Sequence, residues 1–419
     1  MKIKTKTATY EEVMSLPPFQ HQKPQKPDIF FRTLVRLLSE GDLKAVNFKY
    51  TSDDISSLKD QPCFILMNHS SFIDLEIASK MLYPRPYSII CTSDGFVGKD
   101  WLLRKIGCIP TEKFVSDVIL LKDILYAVKK LNNSILMYPE ASYSFDGTAT
   151  DLPSGLGKFI KKLGIPVLFI KTEGAFARDP LYNMLQKRKV DVSAHLHYLL
   201  SPEQIKDKTG EEIDAVLKEA FTCDNFRWQK ENHVVIDEPF RADGLERILY
   251  KCPCCGAEGH TKGKGIGLEC SSCGAQWVMN ELGEVIRQNG ENRFTHIPDW
   301  YSWERECVRQ EILEGTYKLD VPVSIGLMVN HEAIYMVGDG KLIHDNNGFH
   351  LSADDGSFNY EQAPQASYSC YSDYYWYELG DIICIGEKKC LYYCFPKVEG
   401  VVAKTRLATE ELYKLVNKR

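Results

Sequence analysis

No stretch of this 419-residue chain reaches the roughly 20 uninterrupted apolar residues that a membrane-spanning helix needs. The Lys-rich start "MKIKTKTATYEE" lacks the apolar core of a signal peptide, so the chain is expected on the cytoplasmic side. Cysteine is too sparse for a disulfide scaffold. Fourteen in so long a chain are expected as thiols or metal ligands. An excess of positive charge is absent too. The net charge of −6 makes the molecule as a whole a poor nucleic-acid binder. There is no internal repeat, no long disordered tract and no Gly-x-Ser-x-Gly elbow, which argues against a nucleophilic-serine hydrolase.

What is present is 44% hydrophobic and 26% charged, ordinary for globular protein and too long for one core, so two or three domains are expected. Residues 1–50 hold nine Lys or Arg against five Asp or Glu, a local excess suited to an anionic surface. Within them "DIFFRTLVRLLSE" gathers Phe30, Phe31, Leu34, Val35, Leu37 and Leu38 on one helical face with Arg32 and Arg36 opposite. This pattern fits either a membrane-surface helix or a core-packing helix with a solvated basic face.

From residue 61 to about 240 short apolar runs ("CFILM", "YSIIC", "SILMY", "PVLFI") alternate with helical segments such as "SDVILLKDILYAVKKL", capped by Ser116. That alternation predicts an α/β domain with a largely parallel, buried sheet. "VDVSAHLHYLL" reads as a half-exposed strand, followed by a helix starting at Ser201-Pro202 or at the Thr209/Glu212 capping box. His195 and His197 share the polar face of that strand. Without a third ligand in the sequence they read as surface histidines.

In "FILMNHSSFIDLE", residues 64–76, an apolar strand breaks into Asn68-His69-Ser70-Ser71 before a lone Asp74. A histidine leaving the C-terminal end of a buried parallel strand sits where α/β proteins bind ligands. Five residues of continuous helix would turn His69 and Asp74 apart. They meet if His69 is in the loop and Asp74 in the first helical turn, and the carboxylate then fixes the imidazole as a general base. The bland reading is that Ser71 and Asp74 form a capping box and His69 satisfies backbone groups.

Downstream blocks complete a set. Asn68, His69 and Asp74 form Asn-His-x-x-x-x-Asp; "GCIPTEK", residues 107–113, ends on Lys113; "YPEASYSFDG" carries Pro139, Glu140, Ala141 and Ser142; "GIPVLFI" puts a Pro at a strand head. In that order, over roughly residues 50–230, the sequence resembles the glycerolipid acyltransferase family, typified by 1-acylglycerol-3-phosphate (lysophospholipid) acyltransferases. The resemblance implies His69 as general base for an acceptor hydroxyl and Asp74 as its support. It implies Asn68, Lys113, Pro139, Glu140, Ala141 and Ser142 around the substrate, with acyl-CoA or acyl-carrier protein as donor. Backbone amides of residues 139–142 are candidates for the oxyanion. Two positions depart from the family: Ala141 replaces a Gly, and Tyr143 replaces an Arg that commonly helps hold an acceptor phosphate. Tyr cannot supply that charge; Lys113 offers one point charge, and Arg104, Lys105 or Arg178 are candidates to compensate.

Residues 252–274, "CPCCGAEGHTKGKGIGLECSSCG", contain Cys252-x-x-Cys255-Gly and Cys270-x-x-Cys273-Gly. Two such turns converge four thiolates, which predicts a zinc ribbon with a structural, closed site; iron is the chemical alternative, and Cys254 and His260 fall off the spacing. Beyond residue 320 come short strands, "GDG" and "NNG" turns, the aromatic "YSDYYWYEL" and a closing helix, suggesting a β-rich, pleckstrin-homology-like module. Tyr371, Tyr374, Tyr375, Trp376 and Tyr377 read as strand packing before a binding face. The expected organisation is an acyltransferase domain over 1–245 with an N-terminal amphipathic segment, a ribbon over 246–290 and a β-rich domain over 291–419. Partners implied are an acyl donor, a lipid-like acceptor, the inner face of a membrane and, through the ribbon, a protein, but no nucleic acid. The rival expectation is a non-catalytic scaffold on the same α/β frame.

Overall fold

The computed structural model describes residues 2–59, 61–115 and 117–417. Its α/β part is built on a seven-stranded sheet. From edge to edge the strands are Lys49–Ser52, Ser193–Leu200, Val167–Glu173, Phe64–Met67, Ser134–Met137, Tyr87–Thr92 and Cys108–Thr111. All neighbouring pairs are parallel except Val167–Glu173 with Ser193–Leu200. The continuous apolar runs follow from burial on both faces. Phe64 and Leu66 pack with Ile124, Val128, Ile160 and Leu217 of helices on one side; Ile65 and Met67 pack with Ile73 and Ile77 on the other.

The expected helix at "SDVILLKDILYAVKKL" runs Val118–Leu131, and its cap is Asp117, whose side chain accepts from Ile119 N at 2.8 Å. Ser116, the expected cap, lies outside the described residues. Both candidate starts after residue 200 are used. Ser201 caps Pro202–Asp207 and Thr209 caps Gly210–Phe221, each as a capping box.

The four-cysteine segment folds as a four-stranded antiparallel sheet, Thr261–Lys264, Gly267–Cys270, Gln276–Met279 and Val285–Arg287. The C-terminal β-rich region is an antiparallel path with Asn359–Gln362 and Tyr371–Trp376 at its ends, followed by the helix Val401–Val416. The strand Thr5–Thr7 joins this C-terminal sheet, parallel to Ile334–Asp345. One hydrophobic cluster runs from Val13 through Trp277 and Trp300 to Leu412, so the segments on either side of the ribbon share a core.

A buried ion network fastens the closing helix. Glu410 meets Arg305 at 2.7 Å and Arg406 at 3.2 Å, and accepts from Ser369 Oγ at 2.7 Å. Burial alone would raise its pKa; the two guanidiniums outweigh that and hold it at about 2. Replacing Glu410 by Gln strands Arg406, while Arg305 keeps Glu411 at 3.1 Å, and is expected to cost on the order of 3 kcal/mol in chemical denaturation at pH 7. Because the folded pKa is depressed, the wild-type advantage is present above pH ~4.5 and disappears as pH falls towards about 2.

Candidate active site and cysteine cluster

The strand Phe64–Met67 delivers Asn68 and His69 to its C-terminal end, and the helix Ile73–Leu82 begins four residues later. His69 Nδ1 lies 3.0 Å from Asp74 Oδ2. The same oxygen accepts from Ser70 N at 2.8 Å and Ser71 N at 3.1 Å. One carboxylate oxygen therefore holds both the loop before the helix and the imidazole; the reciprocal Ser71/Asp74 capping box does not form, because the Asp74 amide donates to the Ser71 carbonyl at 3.2 Å. Facing an acceptor-only carboxylate, Nδ1 is the protonated nitrogen and Nε2 keeps its lone pair. Tyr138 and Tyr143 cover the two faces of the His69 ring, each with centroids 4.2 Å away. The side chain retains 21% exposure. Burial pushes the imidazole pKa below its ordinary value, and the Asp74 hydrogen bond opposes that shift.

The third block lies at the end of the adjacent parallel strand, Ser134–Met137. Glu140 turns inward: its carboxylate accepts from His69 N at 2.9 Å and Thr150 N at 3.0 Å, and burial raises its pKa to about 7. Asn68 is likewise spent on protein, donating to Thr172 Oγ1 at 2.9 Å and accepting from Thr172 N at 2.8 Å. Both side chains set the loop rather than face a substrate. Ala141 has φ of +58°, left-handed geometry that favours glycine and explains why Gly suits this position. Its N–H is taken by the Tyr138 carbonyl at 3.0 Å, and Pro139 has no N–H, so Glu140 and Ser142 are the remaining oxyanion candidates of the turn. Ser142 Oγ, Tyr138 Oη and Asp74 Oδ1 are buried without a hydrogen-bond partner.

Lys113 lies 4.2 Å from the Tyr371 ring centroid, a strand of the C-terminal sheet. Burial lowers its pKa, opposed first by Asp373 and then by Asp94. Asp94 also receives the Tyr371 hydroxyl and, at 3.1 Å, Trp376 Nε1, while Phe145 stacks 4.7 Å from Tyr374. Tyr371, Tyr374 and Trp376 are buried as strand packing predicts, but they pack across onto the α/β part. The sequence offered no sign of this partner beyond the density of tyrosines around Asp373. Neither Arg104 nor Arg178 compensates for Tyr143. Arg104 is held by Asp100 at 2.7 Å, and Arg178 by Asp179 at 2.9 Å. Sequence reasoning also missed Thr172 and Thr150, short polar residues in strands and loops that carry no pattern of their own.

The fold and site therefore define a class: an α/β protein with a carboxylate-supported histidine at the C-terminal ends of parallel strands. Residues 48–170 match the family model described as Acyltransferase, so this segment is an acyltransferase-family domain. Among solved structures the chain is similar to the 1-acyl-sn-glycerophosphate acyltransferase PlsC from Thermotoga maritima. That likeness has 16% identity and a TM-score of 0.36, over 45% of this chain and 76% of that one. No curated protein matches the chain significantly.

Cys252, Cys255, Cys270 and Cys273 converge, with Sγ atoms 3.8 Å apart for Cys252 and Cys273 and 3.9 Å for Cys255 and Cys270. Tetrahedral bonds of about 2.3 Å space thiolates at about 3.8 Å, so the donor set fits zinc, and iron of the same coordination. Gly256 and Gly274, at φ of 75° and 70°, close the two matching turns. The Ala257 amide lowers the Cys255 pKa to about 7, favouring thiolate. Cys254 is exposed and outside the group, and His260 contacts Ser271 at 3.3 Å. Purified protein is expected to carry about one equivalent of zinc or iron. Cys273→Ser should lower that content and the thermal stability together, and full metal retention would contradict this assignment.

Proposed function

We propose that the chain transfers a fatty acyl group from a thioester, acyl-CoA or acyl-carrier protein, to the hydroxyl of a lysophospholipid or glycerol-phosphate-like acceptor. His69 Nε2 takes the hydroxyl proton as the oxygen attacks the thioester carbonyl. The C–S bond then breaks, and the imidazolium returns the proton to the leaving thiolate. Asp74 holds the ring and stabilises its charged form. The observation that carries this reading is the 3.0 Å His69–Asp74 contact with the His69 side chain still 21% exposed. Glu140 and Asn68 act as positioning residues. A phosphate on the acceptor would meet Lys113 and compete with Asp373, which makes the glycerol-like hydroxyl the primary determinant. Zinc in the ribbon is structural, because four thiolates leave no open coordination position. The three segments 1–245, 246–290 and 291–419 remain our proposed division by origin, although their cores merge.

Helix Ile29–Ala45 supports a peripheral membrane role at the cytoplasmic face. Its Arg32 donates to the Pro84 carbonyl at 3.0 Å and Arg36 lies over Tyr83, while Phe30, Leu37 and Leu38 face outward at 66%, 61% and 73% exposure. The basic face meets protein and the apolar face meets solvent, the reverse of a core-packing helix. Trp101, also exposed, meets the Phe31 ring at 5.7 Å, and the exposed Phe72 lies 5.7 Å from Tyr143, the ring that covers His69. Among the described residues no helix is long and apolar enough to cross a membrane. Leu37→Ser with Leu38→Ser is expected to reduce sedimentation with anionic vesicles at least tenfold while the melting temperature holds. Unchanged sedimentation would remove the membrane role.

For the chemistry, His69→Ala should abolish thioester consumption in the presence of a lysophospholipid. Rates equal to wild type would leave the scaffold reading, for which Tyr143 over the imidazole is the favouring feature. General-base catalysis needs neutral imidazole, so kcat/KM should fall on an acidic limb centred below pH ~6.5. Asp74→Asn removes the group that raises this pKa, moving the limb to lower pH and lowering kcat by roughly 10²- to 10⁴-fold.

A further inference from the structure

The polar face of the strand Ser193–Leu200 carries a third ligand that the sequence did not place beside the two histidines. The period of two puts His195 and His197 on one face, with ring centroids 4.2 Å apart and planes inclined at 54°. Asp53, just beyond the neighbouring edge strand Lys49–Ser52, brings Oδ1 to 2.9 Å from His195 Nε2. A ligand atom from each of the three residues lies within 4.8 Å of the other two. Nitrogen and oxygen ligands at about 2.0–2.1 Å from one ion stand about 3.3 Å apart, so small side-chain rotations close the set.

The outer contacts are those of a supported ligand group. His195 Nδ1 is 2.6 Å from Thr51 Oγ1, and the other Asp53 oxygen accepts from Tyr198 N at 2.9 Å. Such contacts fix ring orientation and carboxylate geometry at metal centres. His195 and His197 line an open cleft of about 430 Å³, which leaves coordination positions for solvent or a further ligand. Lys49, Lys171 and Glu173 line the same cleft, and the two ammonium groups weaken cation binding relative to the four-thiolate site.

We propose that Asp53, His195 and His197 form an exchangeable site for a borderline divalent cation of the zinc, cobalt or nickel kind. The bound ion fastens the loop after Lys49–Ser52 to the strand Ser193–Leu200. It replaces the hydrogen bond between Asp53 and His195: the imidazole binds through Nε2, and its proton sits on Nδ1, facing Thr51 Oγ1.

The test uses the full chain with its ribbon already loaded with zinc. Cobalt(II) titration of wild type is expected to add about one equivalent, with visible d–d bands and no thiolate charge-transfer band. His195→Ala with His197→Ala should lose that equivalent and keep the ribbon metal, and Asp53→Asn should weaken binding at least tenfold. Circular dichroism and the melting curve without added metal verify that the variants are folded. No cobalt uptake by wild type beyond the ribbon, or full uptake by a folded double-histidine variant, overturns the proposal.

Discussion

Asp74 Oδ2 accepts three hydrogen bonds, from two loop amides and from an imidazole, in a buried position at the start of a helix. A carboxylate in the first turn of a helix also faces the positive end of the helix dipole. Because that carboxylate is anchored by backbone, it can orient His69 without moving itself. Glu140 does the same from the other side, tying the His69 amide to Thr150 and so to the loop after the next strand. The imidazole is thus held by its ring, its amide and both its faces.

The C-terminal sheet is the second constraint. Its aromatic strand reaches Asp94 and Lys113, and its closing helix buries Glu410 between Arg305 and Arg406, the latter 4.4 Å over Phe145. Phe145 lies within the third motif block, so this helix supports the loop beside His69. The N-terminal strand Thr5–Thr7 joins the same sheet, so the chain's first segment also bears on this surface. The ribbon contributes through Trp277, which packs 5.2 Å from Trp300 of the helix Ile297–Leu313. The four-cysteine segment is thus part of the common core rather than an independent module.

Much of the α/β frame was legible from local pattern. The four apolar runs are strands, both capping boxes after residue 200 begin helices, and the ordered motif blocks lie on residues that the family model matches. The four cysteines were legible because two Cys-x-x-Cys-Gly turns carry their geometry locally. The inward turn of Asn68 and Glu140, the loss of Arg104 and Arg178 to nearby carboxylates, and Asp53 beside His195 were not legible. Each depends on a partner whose sequence distance says nothing about proximity, apart from Asp100 and Asp179, which are near neighbours in sequence of the arginines they hold.

By itself the sequence determined the alternation of strands and helices, the residue types able to do chemistry and the cysteine turns. All of these are set by backbone sterics and side-chain periodicity over a few residues. Tertiary structure alone decided which polar groups face substrate and which are spent on the protein, that the apolar face of Ile29–Ala45 points outward, and that the last sheet walls the site near Lys113. Those outcomes depend on which surfaces meet when distant segments bury their apolar area together, and no local pattern encodes that choice.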